Sequence, residues 1–154
     1  MQTVTIELWI DAPVERCFDA ARDLDLHVSS MQHTNERAVA GRMTGLIELD
    51  EEVTWRGRHF GVTQHFTSRI TAFDFPRHFR DEMQRGAFRS FVHDHYFVAD
   101  RGGTKMTDVL VFAAPLGILG LLAEKLFLRP YLERMLMMRA VAIRAATERP
   151  LRSG

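Results

Sequence analysis

Val4, Ile6, Leu8 and Ile10 alternate with Thr3, Thr5, Glu7 and Trp9. Alternation at period two predicts a half-buried strand at the start of the chain. Asp11-Ala12-Pro13 ends it. Asp11 suits a helix N-cap and Pro13 suits a first turn, so a helix is expected over 13–22. Its apolar positions, Val14, Cys17, Phe18 and Ala21, recur at helical spacing. A second short helix is expected over 24–30, with Val28 and Met31 turned inward.

From Glu36 to Phe112 the period-two signal dominates. Val53 and Trp55 alternate with polar neighbours, residues 62–70 form a long alternating run, and 79–85 and 88–98 read as further strands. Arg101-Gly102-Gly103 is a hairpin turn signal, with a return strand over 104–113. Short links between successive strands argue for an antiparallel meander. Pro115-Leu116-Gly117 then breaks the sheet. Over 118–148 the pattern is helical, with Leu119, Leu122, Leu126, Leu132, Met135, Leu136 and Ile143 as the expected inward stripe. Pro130 should kink this helix near 127–130. Met135, Met137 and Met138 read as core filler.

One-sided strands need a cover, and the C-terminal helix is the element long enough to supply it. The expected class is α+β, with a curved antiparallel sheet of about six to seven strands wrapped around that helix and two short helices after the first strand. The expected organisation is one domain over 1–148 and a frayed tail over 149–154.

Charge and cysteine content narrow the options. Net formal charge is zero and the basic residues are scattered, which removes the electrostatic case for nucleic acid. The single cysteine, Cys17, allows no internal disulfide and reads as a buried, inert thiol. With no secretory signal at the N-terminus, a cytoplasmic location is expected. The most apolar stretch, 109–128, is interrupted by Pro115, Gly117, Gly120, Glu124 and Lys125, so no transmembrane segment is expected. Whether 115–128 touches a membrane surface stays open, as does a homodimer. Val109 and Val111, on the expected outer face, hint weakly at a sheet-edge or dimer contact.

Motifs along the chain add a resemblance. They are Ala12-Pro13-x-Glu15-x-x-Phe18, Val53-Thr54-Trp55, Phe60-Gly61-Val62, Arg69-Ile70-Thr71, His93-x-His95-x-Phe97, Thr104-x-Met106-Thr107-Asp108 and Pro115-x-Gly117. In this order the chain resembles the superfamily of START domains, birch-pollen-allergen-like (Bet v 1-like) proteins and polyketide cyclases. Within it, the chain is similar to the bacterial ligand-binding SRPBCC group. The resemblance implies a helix-grip fold with a cavity for lipids, polyketides, hormones or other apolar ligands. It implies no single reaction and carries over no catalytic residue set.

The informative feature in the residues themselves is the hairpin over 88–113. Phe91, His93, His95 and Phe97 share one strand face, and Asp94 and Lys105 mark the other as the wetter one. With Arg101 and Gly102 as the turn, His95 faces Asp108. With Gly102 and Gly103, Asp108 moves opposite Phe97, diagonal to His95. Either register puts Asp108 within reach of His95, and a three-residue loop would not. An inward carboxylate needs a partner, and His95 is the nearest one. Three readings of His93, His95 and Asp108 stay open: a satisfied polar cluster, a reader of a ligand's polar end, or a catalytic or metal-binding set.

The expected ligand-binding residues are Trp55, Gln64, Phe66, Phe79, Met83, Phe91, His93, His95, Phe97, Asp108, Leu122 and Leu126. Asp81 lies between Phe79 and Met83 and would point with them, so Asp81 or Glu82 could stand at the cavity mouth, but a solvated position is the expectation; His59, His65 and His78 are expected on outer faces or loops. No metal site and no cofactor are assigned. The leading expectation is binding or carriage of an apolar small molecule such as a lipid, polyketide or quinone. The alternatives are a cyclase or dehydratase working through His95 and Asp108, and a protein-interaction module.

Overall fold

The computed structural model describes residues 1–148; the expected tail over 149–154 lies outside them. Strand β1 (Gln2–Ile10) leads into helices α1 (Val14–Ala21) and α2 (Leu24–Ser30). Strands β2 (Arg37–Gly41), β3 (Glu52–His59), β4 (Val62–Asp74), β5 (His78–Arg85), β6 (Ser90–Asp100) and β7 (Gly103–Ala113) follow. The C-terminal helical run is α3 (Gly117–Ala123), a π-helical turn (Glu124–Leu128) and α4 (Arg129–Thr147). Among the described residues, no helix is long and apolar enough to cross a membrane.

The seven strands form one antiparallel sheet in the order β1-β7-β6-β5-β4-β3-β2. Strand β7 lies between β1 and β6, so Val109 and Val111 are not at an edge, contrary to expectation. The β6–β7 turn uses Arg101 and Gly102, at φ +49° and +79°. Two left-handed residues twist a hairpin in the sense its strands already have, which fixes the register. His95 therefore pairs with Asp108, and Phe97 with Met106.

Helix α1 differs from expectation at its start. Pro13 takes the capping position in an extended conformation, and no side chain caps the helix. Asp11 instead donates its backbone N–H to Glu148 Oε1 at 2.9 Å. Helix α2 has the side-chain cap: Asp23 Oδ1 accepts from the backbone N–H groups of Asp25 and Leu26.

Pro130 sits in the first turn of α4, where its missing N–H is harmless, and the break falls on the π turn before it. A π turn carries an extra residue per turn, so an inward stripe does not continue across it in phase. Leu132, Leu136, Ala140 and Ile143 face the core as the pattern predicts. Leu119, Leu122 and Leu126 do not, and are exposed, while Gly120 and Glu124 take the inner face. Met137 and Met138 are also exposed rather than core filler.

Phe18 anchors the helices to the sheet. It is fully buried, with the rings of Phe73, Phe75, Phe79 and Phe97 at centroid distances of 5.2, 5.0, 5.2 and 5.3 Å. The contacts with Phe73, Phe75 and Phe79 are edge-to-face, a geometry that adds to the gain from burial. Beside it, Cys17 is buried, and burial pushes its thiol pKa up, as an inert thiol requires. Phe18→Ala is expected to lower unfolding free energy by ~3–5 kcal/mol. Urea titration reads this as a lower midpoint at unchanged slope, and a loss under 1 kcal/mol, roughly the worth of a single methylene, would show that the ring cluster is not central.

Candidate functional site

Sheet and C-terminal helix enclose a cavity of about 280 Å³. This is near the lower end of the range for small-molecule sites, ~300–1,000 Å³. Alternation along β3 turns Val53, Trp55, Gly57 and His59 toward it, and alternation along β4 turns Gln64, Phe66, Ser68 and Ile70. Phe79 and Asp81 reach it from β5, and Phe91, His93 and His95 from β6. The helical side is Leu24, His27 and Met31 with Leu132, Met135, Leu136 and Arg139.

Seven of the expected site residues are thus brought together: Trp55, Gln64, Phe66, Phe79, Phe91, His93 and His95. The others are corrected. Phe97 is buried behind the wall in the Phe18 ring cluster. Met83 pairs with Ser68 across β4 and β5, outside the lining. Leu122 on α3 and Leu126 in the π turn are exposed, outside the lining. Asp108 is buried one layer behind, where it holds the two histidines.

Asp108 Oδ1 lies 3.0 Å from His93 Nε2 and 2.8 Å from His95 Nδ1. The second nitrogen of His95, Nε2, lies 2.8 Å from Asp81 Oδ2. Both nitrogens of His95 face carboxylates, so both must carry hydrogen, and the ring is an imidazolium. Burial opposes that charge, but the bonds to Asp108 and Asp81 outweigh it and raise the His95 pKa. Burial likewise pushes both carboxyls up, and the histidines overcome it, so Asp81 and Asp108 stay well below the usual carboxylate range. The expectation of a solvated Asp81 is corrected. It lies two residues beyond Phe79 on the inward face, opposite His93.

His93 is the neutral partner. Burial first, and then the charge of His95, lower its pKa. It donates from Nε2 to Asp108, which leaves Nδ1 as an acceptor. Every fully buried side-chain nitrogen and oxygen among the described residues has a hydrogen-bond partner. Nδ1 lies 3.8 Å from Asp81 Oδ2, too far for one, so it is reached from the cavity. Asp81 Oδ1 also accepts no hydrogen bond among the described residues.

A second polar group stands across the cavity. His27 Nε2 meets Glu36 Oε1 at 2.5 Å while its ring stacks on Trp55 at 4.1 Å. His59 Nδ1 meets the Tyr131 hydroxyl at 2.6 Å. Burial lowers the pKa values of His27 and His59. Burial raises the Glu36 carboxyl, but His27 holds it below its ordinary value. His59 is thus a cavity residue rather than a surface one, and the alternation that places Trp55 reaches it two steps later. His65 is exposed and borders the cavity, and His78 pairs with Asp94 on the outer face as expected. His27, Glu36, Tyr131 and Arg139 carried no signal in their own neighbourhoods, because helix placement is what brings them in.

Asp81, His93 and His95 present donor atoms within 4.8 Å of one another, as a cation site would. Within that set His95 Nε2 and Asp81 Oδ2 pair with each other at 2.8 Å.

No family model and no curated protein matches the chain in sequence. Its shape does have relatives. TTHA0849 from Thermus thermophilus superposes with a TM-score of 0.73 over 95% of this chain and 99% of that one, at 21% identity. CV1439 from Chromobacterium violaceum gives 0.71 over 96% and 98%, at 11% identity. Major latex-like protein 151 from Panax ginseng gives 0.68 over 95% and 97%, at 13% identity. The chain has the Bet v 1-like helix-grip fold. In this helix grip the cavity lies between the gripping sheet and the gripped helix, where the polar clusters stand.

The buried histidines set a pH dependence. A group held below its ordinary pKa stabilises the fold above its unfolded value, ~6.5 for histidine, and that contribution is lost as pH falls. His27, His59 and His93 are of this kind. His95, held above, acts oppositely: its contribution is full below ~6.5 and is lost as pH rises through its folded value. Three against one, the helix grip is expected to lose stability between pH 7 and pH 5. The bound is ~1.4 kcal/mol per pH unit for each fully buried neutral histidine. Urea midpoints at the two pH values check this, and a higher midpoint at pH 5 contradicts it.

Proposed function

We propose that the helix grip binds a small, mostly apolar molecule bearing a hydroxyl or phenol, and that Asp81 and His93 read that group. The observation behind this is the pair of acceptors, His93 Nδ1 and Asp81 Oδ1, left open to an otherwise largely apolar cavity. An acceptor pair next to an ionised carboxylate recognises a hydrogen-bond donor. A fatty-acid carboxylate would meet the charge of Asp81, and a quinone carbonyl offers no hydrogen. The volume suits a one- or two-ring compound better than a long-tailed lipid. Arg139, His27 and Tyr131 remain for a second polar substituent on the far side.

The test compares 2-naphthol with 2-methoxynaphthalene, which share a ring system and differ in the donor. Naphthol is expected to bind on the order of tenfold or more tighter, since the ether leaves buried acceptors unpaired at ~1–3 kcal/mol. His93→Phe should bring the two affinities together while the ether still binds. Equal binding of both compounds by the unaltered protein would overturn the donor-reading role, and binding of neither would overturn the cavity's role.

A catalytic reading has one observation behind it. Asp108 orients His93 through Nε2 and leaves Nδ1 facing the cavity, the arrangement of a base with its orienter. His95, held at both nitrogens, is not free to take a proton, so His93 replaces it as the candidate base. If this reading holds, a naphthol-like substrate is turned over, and His93→Gln retains binding and loses turnover. Unchanged turnover in His93→Gln would sink it.

A further inference from the structure

Helix α3 and the π turn after it are built inside out. Leu116, Ile118, Leu119, Leu122, Leu126 and Phe127 are each more than half exposed, and Leu121 adds to them. The buried positions are Gly120 and Glu124, four residues apart on one face. Gly120 lets the helix backbone seat on the preceding loop, since a Cβ there would lie 2.1 Å from the carbonyl oxygen of Pro115. Glu124 turns inward, and its Oε1 accepts the Ala114 backbone N–H at 2.7 Å. A helix on a water-facing surface has the reverse pattern, apolar inside and charged outside. An exposed cluster of this kind marks a contact surface.

We infer that segment 116–128 is a membrane-docking element that sinks into the interface of an anionic lipid bilayer and presents the cavity mouth to it. Three observations select lipid over a protein partner. The apolar side chains cover every side of the helix except the Gly120–Glu124 face. Immersion satisfies that breadth, whereas a protein groove covers one stripe. The charged side chains the segment and its first following residue leave in solvent are Lys125 and Arg129, both cationic, because Glu124 is buried. That sign suits anionic headgroups. Finally, Pro115 and Leu128, which bracket the segment, both line the cavity. Phe60, itself exposed, lines it too and packs on Tyr131 at 4.6 Å. An apolar cargo would then pass between bilayer and cavity without crossing water. This passage rests on the binding reading above, but the docking does not.

The experiment is co-sedimentation of the full chain, without cargo, with vesicles of phosphatidylcholine alone and of phosphatidylcholine mixed with phosphatidylglycerol. The protein is expected to pellet with the mixed vesicles and to be released by salt, which screens Lys125 and Arg129. The triple variant Leu119→Ser, Leu122→Ser, Phe127→Ser should bind roughly tenfold more weakly or worse. Its melting temperature should be unchanged, because all three side chains are exposed. Lys125→Glu with Arg129→Glu should abolish the preference for mixed vesicles. Three results would overturn the inference: unaltered protein that stays in the supernatant, a triple variant that binds as well as the parent, or a dimer in solution that the triple variant dissolves without any vesicle binding. The naphthol comparison is run without lipid, so the two proposals fail separately.

Discussion

A nearly buried carboxylate must be met by donors or by positive charge, and Asp108, 5% exposed, is such a group. It is met by His93 and His95 on the neighbouring strand, and His95 is in turn met by Asp81 from the strand beyond. One ion-paired cluster therefore ties β5, β6 and β7 together at a single register. Slippage by one residue would turn each of these groups to the opposite face, so the hairpin turn at Arg101 and Gly102 and the charge cluster specify the same pairing twice. The charges also nearly balance: two carboxylates face one imidazolium, and Arg139, whose charge helps hold Asp81 ionised, reaches the same cavity from α4. A buried pair of this kind adds little net stability. Its value lies in the arrangement it enforces, because losing any one member strands the others.

That arrangement is what gives the cavity a polar wall. Asp108 fixes the His93 tautomer from behind, so the acceptor Nδ1 is aimed forward. His95 holds Asp81 by one oxygen and leaves the other free. The outward-facing acceptors exist because the inner layer consumes the donors. The opposite wall follows the same logic with different residues: Glu36 engages His27, and the Tyr131 hydroxyl engages His59. Between the two walls the surface is aromatic and aliphatic, which supplies affinity without direction.

Sequence patterning captured the sheet because strand alternation is a local signal that burial reinforces. It put Asp108 directly opposite or diagonal to His95 because a two-residue turn determines every pair beyond it, and the Arg101–Gly102 turn selects the direct pairing. It missed Asp81 and His59 for a different reason. Both lie on faces that the alternation already marks as inward, two residues from Phe79 and four from Trp55 respectively. Their polarity argued for solvent, and their partners come from other strands and from the helix. Phe97 shows the limit from the other side. It does face inward, but α1 delivers Phe18 onto that spot, and the position becomes core rather than cavity. Which inward residues see a cavity depends on where the helices rest, and periodicity along the strands carries no record of that.

The C-terminal helical run shows how one irregularity divides two functions along a single element. After the π turn, α4 keeps an ordinary inward stripe of Leu132, Leu136, Ala140 and Ile143 and closes the cup. Before it, Leu119, Leu122 and Leu126 are displayed outward, while Gly120 and Glu124 take the inner face. In water alone that exposure is unfavourable. Gly120 and Glu124 hold the outward display in place, one by permitting close backbone approach and the other by anchoring the turn to Ala114. An exposed apolar surface supported by specific inward contacts is a built feature. Its position at the lip of an apolar cavity connects it to the route by which a water-averse molecule would enter.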